Sequence, residues 1–388
     1  MKAIVNGRII TPDGIKSGVL LYEGATIVGI CDEVPQGAEV RDAKGNYVSP
    51  GFIDLHIHGA GGGDFLDSTP QAYLAVANMC AQHGVTTIFP SLTTSSPEEF
   101  YNSVDAYREA KKLNDKGCNL DGIHVEGPYF NPEKAGAQDR RFLRTPDPKE
   151  YLAMLEHCPE IARWSIAPDV PGAKEFIEEM TRRGIVTSIA HTNASFEQCE
   201  MAYNAGSRLM THFYACMSTL HKVGLFRYAG AVEYGYYQDD IDVEIIADGF
   251  HVQPAILRTV LKVKGAERIA LVTDSMRAAG MAEGPSSFGS EVAGQPVLVE
   301  GGIAYLMDKS GLASSVATYD RLLRVMLRDT DCGIENAVRM ASANPARIMK
   351  IEDRTGSLEP GKQADITIFD EEINIKATIV KGKAVYKT

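Results

Sequence analysis

Positive charge is in deficit in this chain. Its 39 Lys and Arg stand against 51 Asp and Glu, a net charge of -12 at pH 7. Such a chain is a poor general binder of phosphodiester backbones, so nucleic acid is excluded as an expected partner. Any anionic substrate must then meet a local basic pocket. Paired cysteines are also missing. Cys31, Cys80, Cys118, Cys158, Cys199, Cys216 and Cys332 are scattered, odd in number and form no C-x-x-C pair. That argues against a disulfide framework or a cysteine zinc cluster and fits a reducing, cytoplasmic location. No run of about 20 apolar residues occurs, so no membrane span or membrane partner is expected. The N-terminal stretch Met1–Gly14 lacks the apolar core of a signal peptide and reads as strand and turn. No internal repeat or low-complexity tract interrupts the chain.

What is present is enough apolar material, 44% of 388 residues, to bury a large core. The length suits either two or three domains or one large α/β barrel with a smaller module. The first segment (Ala3–Ile10, Gly18–Leu21, Thr26–Ile30) and the last (Ala364–Phe369, Ala377–Gly382) are short β-rich runs between turn residues. Each reads as antiparallel sheet, and together they make one small sandwich if the chain ends meet. Residues 1–48 and 352–388 are therefore expected to form a small β-sandwich domain, and 49–351 the main one. Within 49–351, eight apolar runs alternate with amphipathic stretches: Phe52–Leu55, Thr86–Phe89, Gly122–Val125, Trp164–Ala167, Val186–Ala190, Arg208–Thr211, Val243–Ala247 and Ile269–Thr273. Eight β-then-α units predict a TIM-type (β/α)8 barrel. A doubly wound sheet would want a glycine-rich dinucleotide turn after its first strand, and the glycines from Gly59 to Gly63 do not form one.

Ionisable residues gather where these runs end. Asp54, His56 and His58 close the first, His124 and Glu126 the third, His191 the fifth, His212 the sixth, Asp248 with His251 the seventh, and Asp274 the eighth. In a barrel those ends converge on one mouth. His56 and His58 lie two apart on a strand and so face the same way. With Glu126, His191, His212 and Asp274 they make a nitrogen–oxygen set suited to Zn²⁺, with Fe²⁺, Mn²⁺ or Co²⁺ as alternatives. A carboxylate such as Glu126 can bridge two ions about 3.5–4 Å apart. A lone histidine at a strand end is more often structural. Burying this many imidazoles and carboxylates without a cation, however, would cost several kcal/mol each. His83, His124 and His157 keep the structural reading, His83 and His157 as helix-end residues.

These residues resemble a known family. Val48–Gly59, with His56-Ile57-His58, is similar to the first-strand motif of the amidohydrolase superfamily. His124–Tyr129, Ala190–Ala194, Thr211-His212, Ile246–His251, Val272–Asp274, Asn344–Ala346 and Gly356–Asp365 narrow the resemblance to N-acetylglucosamine-6-phosphate deacetylases. It covers nearly the whole chain. It implies that Glu126 is a ligand where most other branches use a carboxylated lysine, and that one or two ions are bound. It further implies a catalytic Asp274, a carbonyl-binding His251 and a homodimer. Ala137 and Gln138, in the loop after Gly136, are implied sugar contacts, as are Ala215, Cys216 and Leu312.

Two departures touch the substrate. After Thr211-His212 the family usually has an Asn where this chain has Ala215. The family's phosphate-binding Arg has no counterpart in His221–Gly230, where Lys222 or Arg227 would have to substitute. Lysine meets phosphate as a point charge without arginine's planar fork. The reaction implied is hydrolysis of an N-acetyl amino sugar, N-acetylglucosamine-6-phosphate or an isomer, to acetate and the amino sugar. The alternatives are hydrolysis of another N-acyl or cyclic amide, or a non-catalytic barrel scaffold.

Overall fold

The computed structural model describes residues 1–388. Eight strands, with a short ninth (Asn119–Leu120) paired beside β2, form one parallel sheet in chain order: β1 (Phe52–Ile57), β2 (Val85–Leu92), β3 (Ile123–Glu126), β4 (Ile161–Ile166), β5 (Val186–Ile189), β6 (Leu209–Met210), β7 (Asp242–Ile245) and β8 (Ile269–Leu271). Each is one of the eight runs read from the sequence. The seam between β8 and β1 is drawn together by backbone bonds just past β8, Asp274 N–H to His56 O and His58 N–H to Ser275 O, both 2.9 Å. The result is the expected barrel.

Helices connect the strands, and their sequences say why. Pro97–Leu113 starts at Ser96, whose Oγ accepts the Glu99 N–H at 3.2 Å while Glu99 Oε2 accepts the Ser96 N–H at 2.9 Å. This reciprocal cap satisfies two orphan donors. The helix then buries Phe100, Val104 and Tyr107 at helical spacing. Apolar residues of the strands, among them Ile53, Leu55, Phe89 and Leu209, pack with Ala346, Ile348 and Met349 from the region of the helix Ala343–Ile348.

The two chain ends do meet. Lys2–Val5, Val19–Glu23, Thr26–Cys31 and Glu39–Asp42 form a four-stranded sheet. Arg8–Thr11, Gly14–Lys16 and Tyr47–Pro50 join Ile366–Phe369, Ile375–Val380 and Lys383–Lys387 in a six-stranded one. Ile4, Ile9, Leu20, Val48, Ile366 and Ile379 share one apolar cluster between them. The expectation of purely antiparallel pairing is corrected at two places. Lys2–Val5 pairs in parallel with Glu39–Asp42, and Arg8–Thr11 with Tyr47–Pro50. Both need a long crossover, which the intervening hairpins supply, and alternation of residues does not reveal it. Tyr47–Pro50 spans the expected boundary at residue 48, and Gly51 alone separates it from β1. A side chain at Gly51 would sit 2.1 Å from Thr86 Oγ1 on β2, so glycine lets this link pass close against β2.

Two excursions were not expected: an exposed hairpin of His221–Val223 and Phe226–Tyr228, and a three-stranded antiparallel sheet of Gly284–Phe288, Gln295–Glu300 and Ile303–Leu306. No helix is long and apolar enough to cross a membrane.

Candidate metal centre

The strands deliver their polar ends to one place. β1 carries His56, with His58 one residue past its end; Glu126 ends β3, and His191, His212 and Asp274 lie just beyond β5, β6 and β8. The last three adopt left-handed backbone, with φ of 43°, 28° and 45°. For non-glycine residues this costs on the order of 1–3 kcal/mol each and persists where the surroundings enforce it, commonly at functional sites.

The side chains form two overlapping triads, His56–His58–Glu126 and Glu126–His191–His212, each with its ligand atoms within 4.8 Å of one another. Glu126 belongs to both. Its Oε1 lies 3.3, 3.4 and 3.2 Å from Nε2 of His56, His191 and His212, and its Oε2 lies 3.3 Å from His58 Nε2. Asp274 Oδ1 completes the group, 3.2 Å from His58 Nε2 and 3.6 Å from His56 Nε2.

The donor set fits a cation. Nε2 of His56 and His58 are 3.2 Å apart, and Nε2 of His191 and His212 3.1 Å. Three of the rings donate from Nδ1: His56 to Glu244 Oε2 (3.2 Å), His58 to Ser91 O (2.9 Å) and His191 to Lys134 O (2.8 Å). Their Nε2 lone pairs therefore face one another, an arrangement that only protons or a metal can relieve. Nitrogen and oxygen donors without thiolate suit Zn²⁺ and its divalent neighbours. In the metal-free chain, protons do the work. Burial disfavours charged imidazoles, yet Asp274 and Glu126 raise His56 to about 9 and His58 to about 10. Burial likewise opposes ionised Glu126, but His56, His191 and His212 hold it well below the ordinary carboxylate range.

His251 sits close by. Its Nδ1 donates to Asp248 Oδ2 at 2.8 Å, and Asp248 Oδ1 accepts the Phe250 and His251 main-chain N–H groups, both at 2.9 Å. Ser314 Oγ donates to the Asp274 carbonyl and lies 3.3 Å from its Oδ1. Of the expected sugar contacts, Ala215 and Cys216 are half-buried just past His212, and Ala137 and Leu312 are half-buried too. Gln138 differs from expectation. Its Nε2 donates to Glu126 Oε2 at 2.5 Å, and its Oε1 accepts from Thr93 Oγ1 (2.7 Å) and Thr94 N–H (2.9 Å). The side chain is thus turned onto the shared carboxylate. Lys222 and Arg227 face each other across the exposed hairpin and make no ion pair.

His124 keeps its structural reading, with both ring nitrogens engaged by Ser91 Oγ (2.8 Å) and Ser165 Oγ (2.7 Å). Sequence reasoning missed Glu244 and Arg163, which contact each other in the barrel interior. Their only signal was a charge within a short strand, Arg163 in Ile161–Ile166 and Glu244 in Asp242–Ile245.

Comparison with known proteins agrees with this geometry. Residues 47–385 match the amidohydrolase family. The N-acetylglucosamine-6-phosphate deacetylase of Rattus norvegicus is 32% identical over 360 residues, covering 90% of this chain and 86% of the rat protein. The N-acetylgalactosamine-6-phosphate deacetylase of Escherichia coli O157:H7 is 28% identical over 379 residues, covering 97% of both. A mutant N-acetyl-D-glucosamine-6-phosphate deacetylase from Mycobacterium smegmatis, solved in complex with N-acetyl-D-glucosamine-6-phosphate, superposes with a TM-score of 0.90 at 28% identity, covering 100% of this chain and 99% of that one.

Proposed function

The chain belongs to the amidohydrolase family, on the branch of the N-acetylglucosamine-6-phosphate deacetylases, and from that membership we propose that it hydrolyses the acetamide of N-acetylglucosamine-6-phosphate or an isomer. The products are acetate and the amino sugar phosphate. The observation that carries this reading is the convergence of His56, His58, Glu126, His191, His212 and Asp274 from five strands onto two ligand triads sharing Glu126. It also disfavours a scaffold, which has no use for so costly a cluster. The galactosamine isomer is a second reading, favoured by a relative that carries that name.

His56, His58, Glu126, His191, His212 and Asp274 would hold the metal, and zinc is our choice of ion from their donor atoms. When bound, a divalent cation supplies an acidified water and polarises the acetyl carbonyl. Asp274 takes the proton from the attacking water at its carboxylate. It returns that proton to the amide nitrogen as the carbon–nitrogen bond breaks, so one group serves both steps. The Ser314 hydroxyl beside it limits how the carboxylate can turn. His251, oriented through Nδ1 by Asp248, presents Nε2–H to the acetyl oxygen as negative charge builds there.

Two finer features belong to the same reading. The protein is cytoplasmic, supported by seven free cysteines, none of them paired. It is a homodimer, supported by the hairpin at 221–228, where Val223, Leu225 and Phe226 are exposed beside Lys222 and Arg227.

The test is acetate release from N-acetylglucosamine-6-phosphate, N-acetylgalactosamine-6-phosphate and both free sugars. A phosphorylated sugar should be the best substrate by at least tenfold. Asp274→Asn should stay folded and metal-bound while losing on the order of 10²–10⁴ in turnover. Activity confined to a cyclic amide or an N-acyl amino acid, or wild-type turnover in Asp274→Asn, sinks the assignment.

A further inference from the structure

Under the metal centre lies an ion pair that the chemistry described so far does not use. Arg163 on β4 and Glu244 on β7 are fully buried, and Arg163 Nη1 bonds Glu244 Oε1. Removing two charges from water is costly, and a pair of apolar side chains would often fill the same space as stably. The contacts give the pair a purpose. Every other donor of Arg163 with a partner fixes it to the barrel wall: Nη1 to Leu55 O (3.1 Å), Nε to Ser188 Oγ (3.2 Å), and Nη2 to Ser188 Oγ (3.1 Å) and Thr211 Oγ1 (2.9 Å). This leaves Glu244 Oε2 directed at the ligands. It accepts from His56 Nδ1 at 3.2 Å and from the His212 main-chain N–H at 3.1 Å. One oxygen therefore touches a member of each triad, as Glu126 does among the ligands themselves.

The two grips do different things. A carboxylate only accepts hydrogen bonds, so it keeps the His56 proton on Nδ1 and the lone pair on Nε2, toward the cation. His212 is unlike its neighbours, since its buried Nδ1 has no partner behind the ligand set. Outside the ligands themselves, its hold comes from the backbone, where Glu244 accepts the N–H at the left-handed φ of 28°.

We propose that Glu244, locked by Arg163, is the positioning residue of this centre, and that it sets the cation affinity of both triads through the His56 ring and the His212 backbone. The inference rests on the metal-centre reading above. Partners of this kind typically carry 10–100-fold in metal affinity.

Zinc affinity is to be measured by chelator competition on the full chain, with ions per chain counted and the melting of the metal-free protein recorded. The paired change Arg163→Met with Glu244→Leu removes both charges together and so avoids stranding one of them. It should weaken zinc at both triads by about 10–100-fold. The variant kcat should fall with KM for the sugar little changed. Glu244→Gln, which keeps an acceptor for His56 Nδ1–H, should fall between this variant and wild type. It also serves as the test if the paired variant does not fold. Ser165→Ala, in the same polar layer but touching neither Glu244 nor a ligand, should bind zinc like wild type. A folded Glu244 variant with wild-type zinc affinity overturns the proposal. An equal loss in Ser165→Ala does too, because the effect would then be general packing. Wild-type protein that takes up no divalent cation overturns the metal-centre reading itself, which separates the two failures.

Discussion

Asp248 decides in what state His251 meets the substrate. Burial alone would push the His251 ring toward neutrality, but the Asp248 hydrogen bond and charge, with Asp274 beyond, raise its pKa above the ordinary 6.5. A raised imidazole pKa means the charged donor is present below it and lost as pH climbs through it. The expected profile of kcat/KM therefore has an alkaline limb set by His251. Asp248→Asn removes the charge that raises this pKa. The limb should move to lower pH by roughly one unit or more, with zinc content unchanged. An alkaline limb that stays in place in that variant would mean another group titrates there. At this scale the sequence was informative where a residue's position alone decides its direction. His56, His191, His212 and Asp274 close apolar runs, and in a barrel such ends can only face the mouth. Glu244 and Arg163 were not legible, because a charge inside a strand can point into the barrel or away from it. Gln138 was read as a sugar contact because its loop resembles the family's sugar-contacting loop, and only coordinates reveal that its amide is turned onto Glu126.

The elements divide in the same way. All eight barrel strands were visible as apolar runs, because strands buried on both faces read as short, mainly hydrophobic stretches. The hairpin His221–Val223 with Phe226–Tyr228 was not, since it lies exposed outside any core and carries no burial pattern. That exposure is what makes it informative now. Leu225 at its tip is 85% exposed and Phe226 69%. Apolar side chains presented this way on a two-stranded arm cost solubility unless something covers them. Under the homodimer reading a second copy does so. Leu225→Glu should then shift the protein from dimer to monomer in light scattering, and its melting should change only as the loss of the interface requires. The substituted side chain touches no core, so fold stability within the monomer should stay within about 0.5 kcal/mol. A wild-type monomer, or a Leu225→Glu dimer of wild-type affinity, would remove the support this arm lends to dimerisation.

Across the whole molecule, the centre ties together β1, β3, β5, β6 and β8, strands contributed by chain segments up to 218 residues apart (His56 to Asp274, 274 − 56). A cation that binds only where these segments meet stabilises the folded state by mass action, about 4.1 kcal/mol when its concentration is 1,000 times the dissociation constant. Chelation should therefore lower Tm by several degrees, and the size of the drop should depend on pH. Without metal, protons on His56 and His58 offset the buried carboxylates, and the two rings titrate at about 9 and about 10 instead of 6.5. Because the folded values lie above the unfolded one, this contribution is complete below about pH 6.5 and is lost as pH rises through 9 to 10. With metal bound the same nitrogens carry the ion, and competition from protons weakens as pH rises. The gap in Tm between metal-loaded and chelated protein should thus widen steadily from pH 6.5 to 9.5 in calorimetry. Two parallel curves over that range would mean that the histidine cluster does not govern how the metal-free barrel holds together.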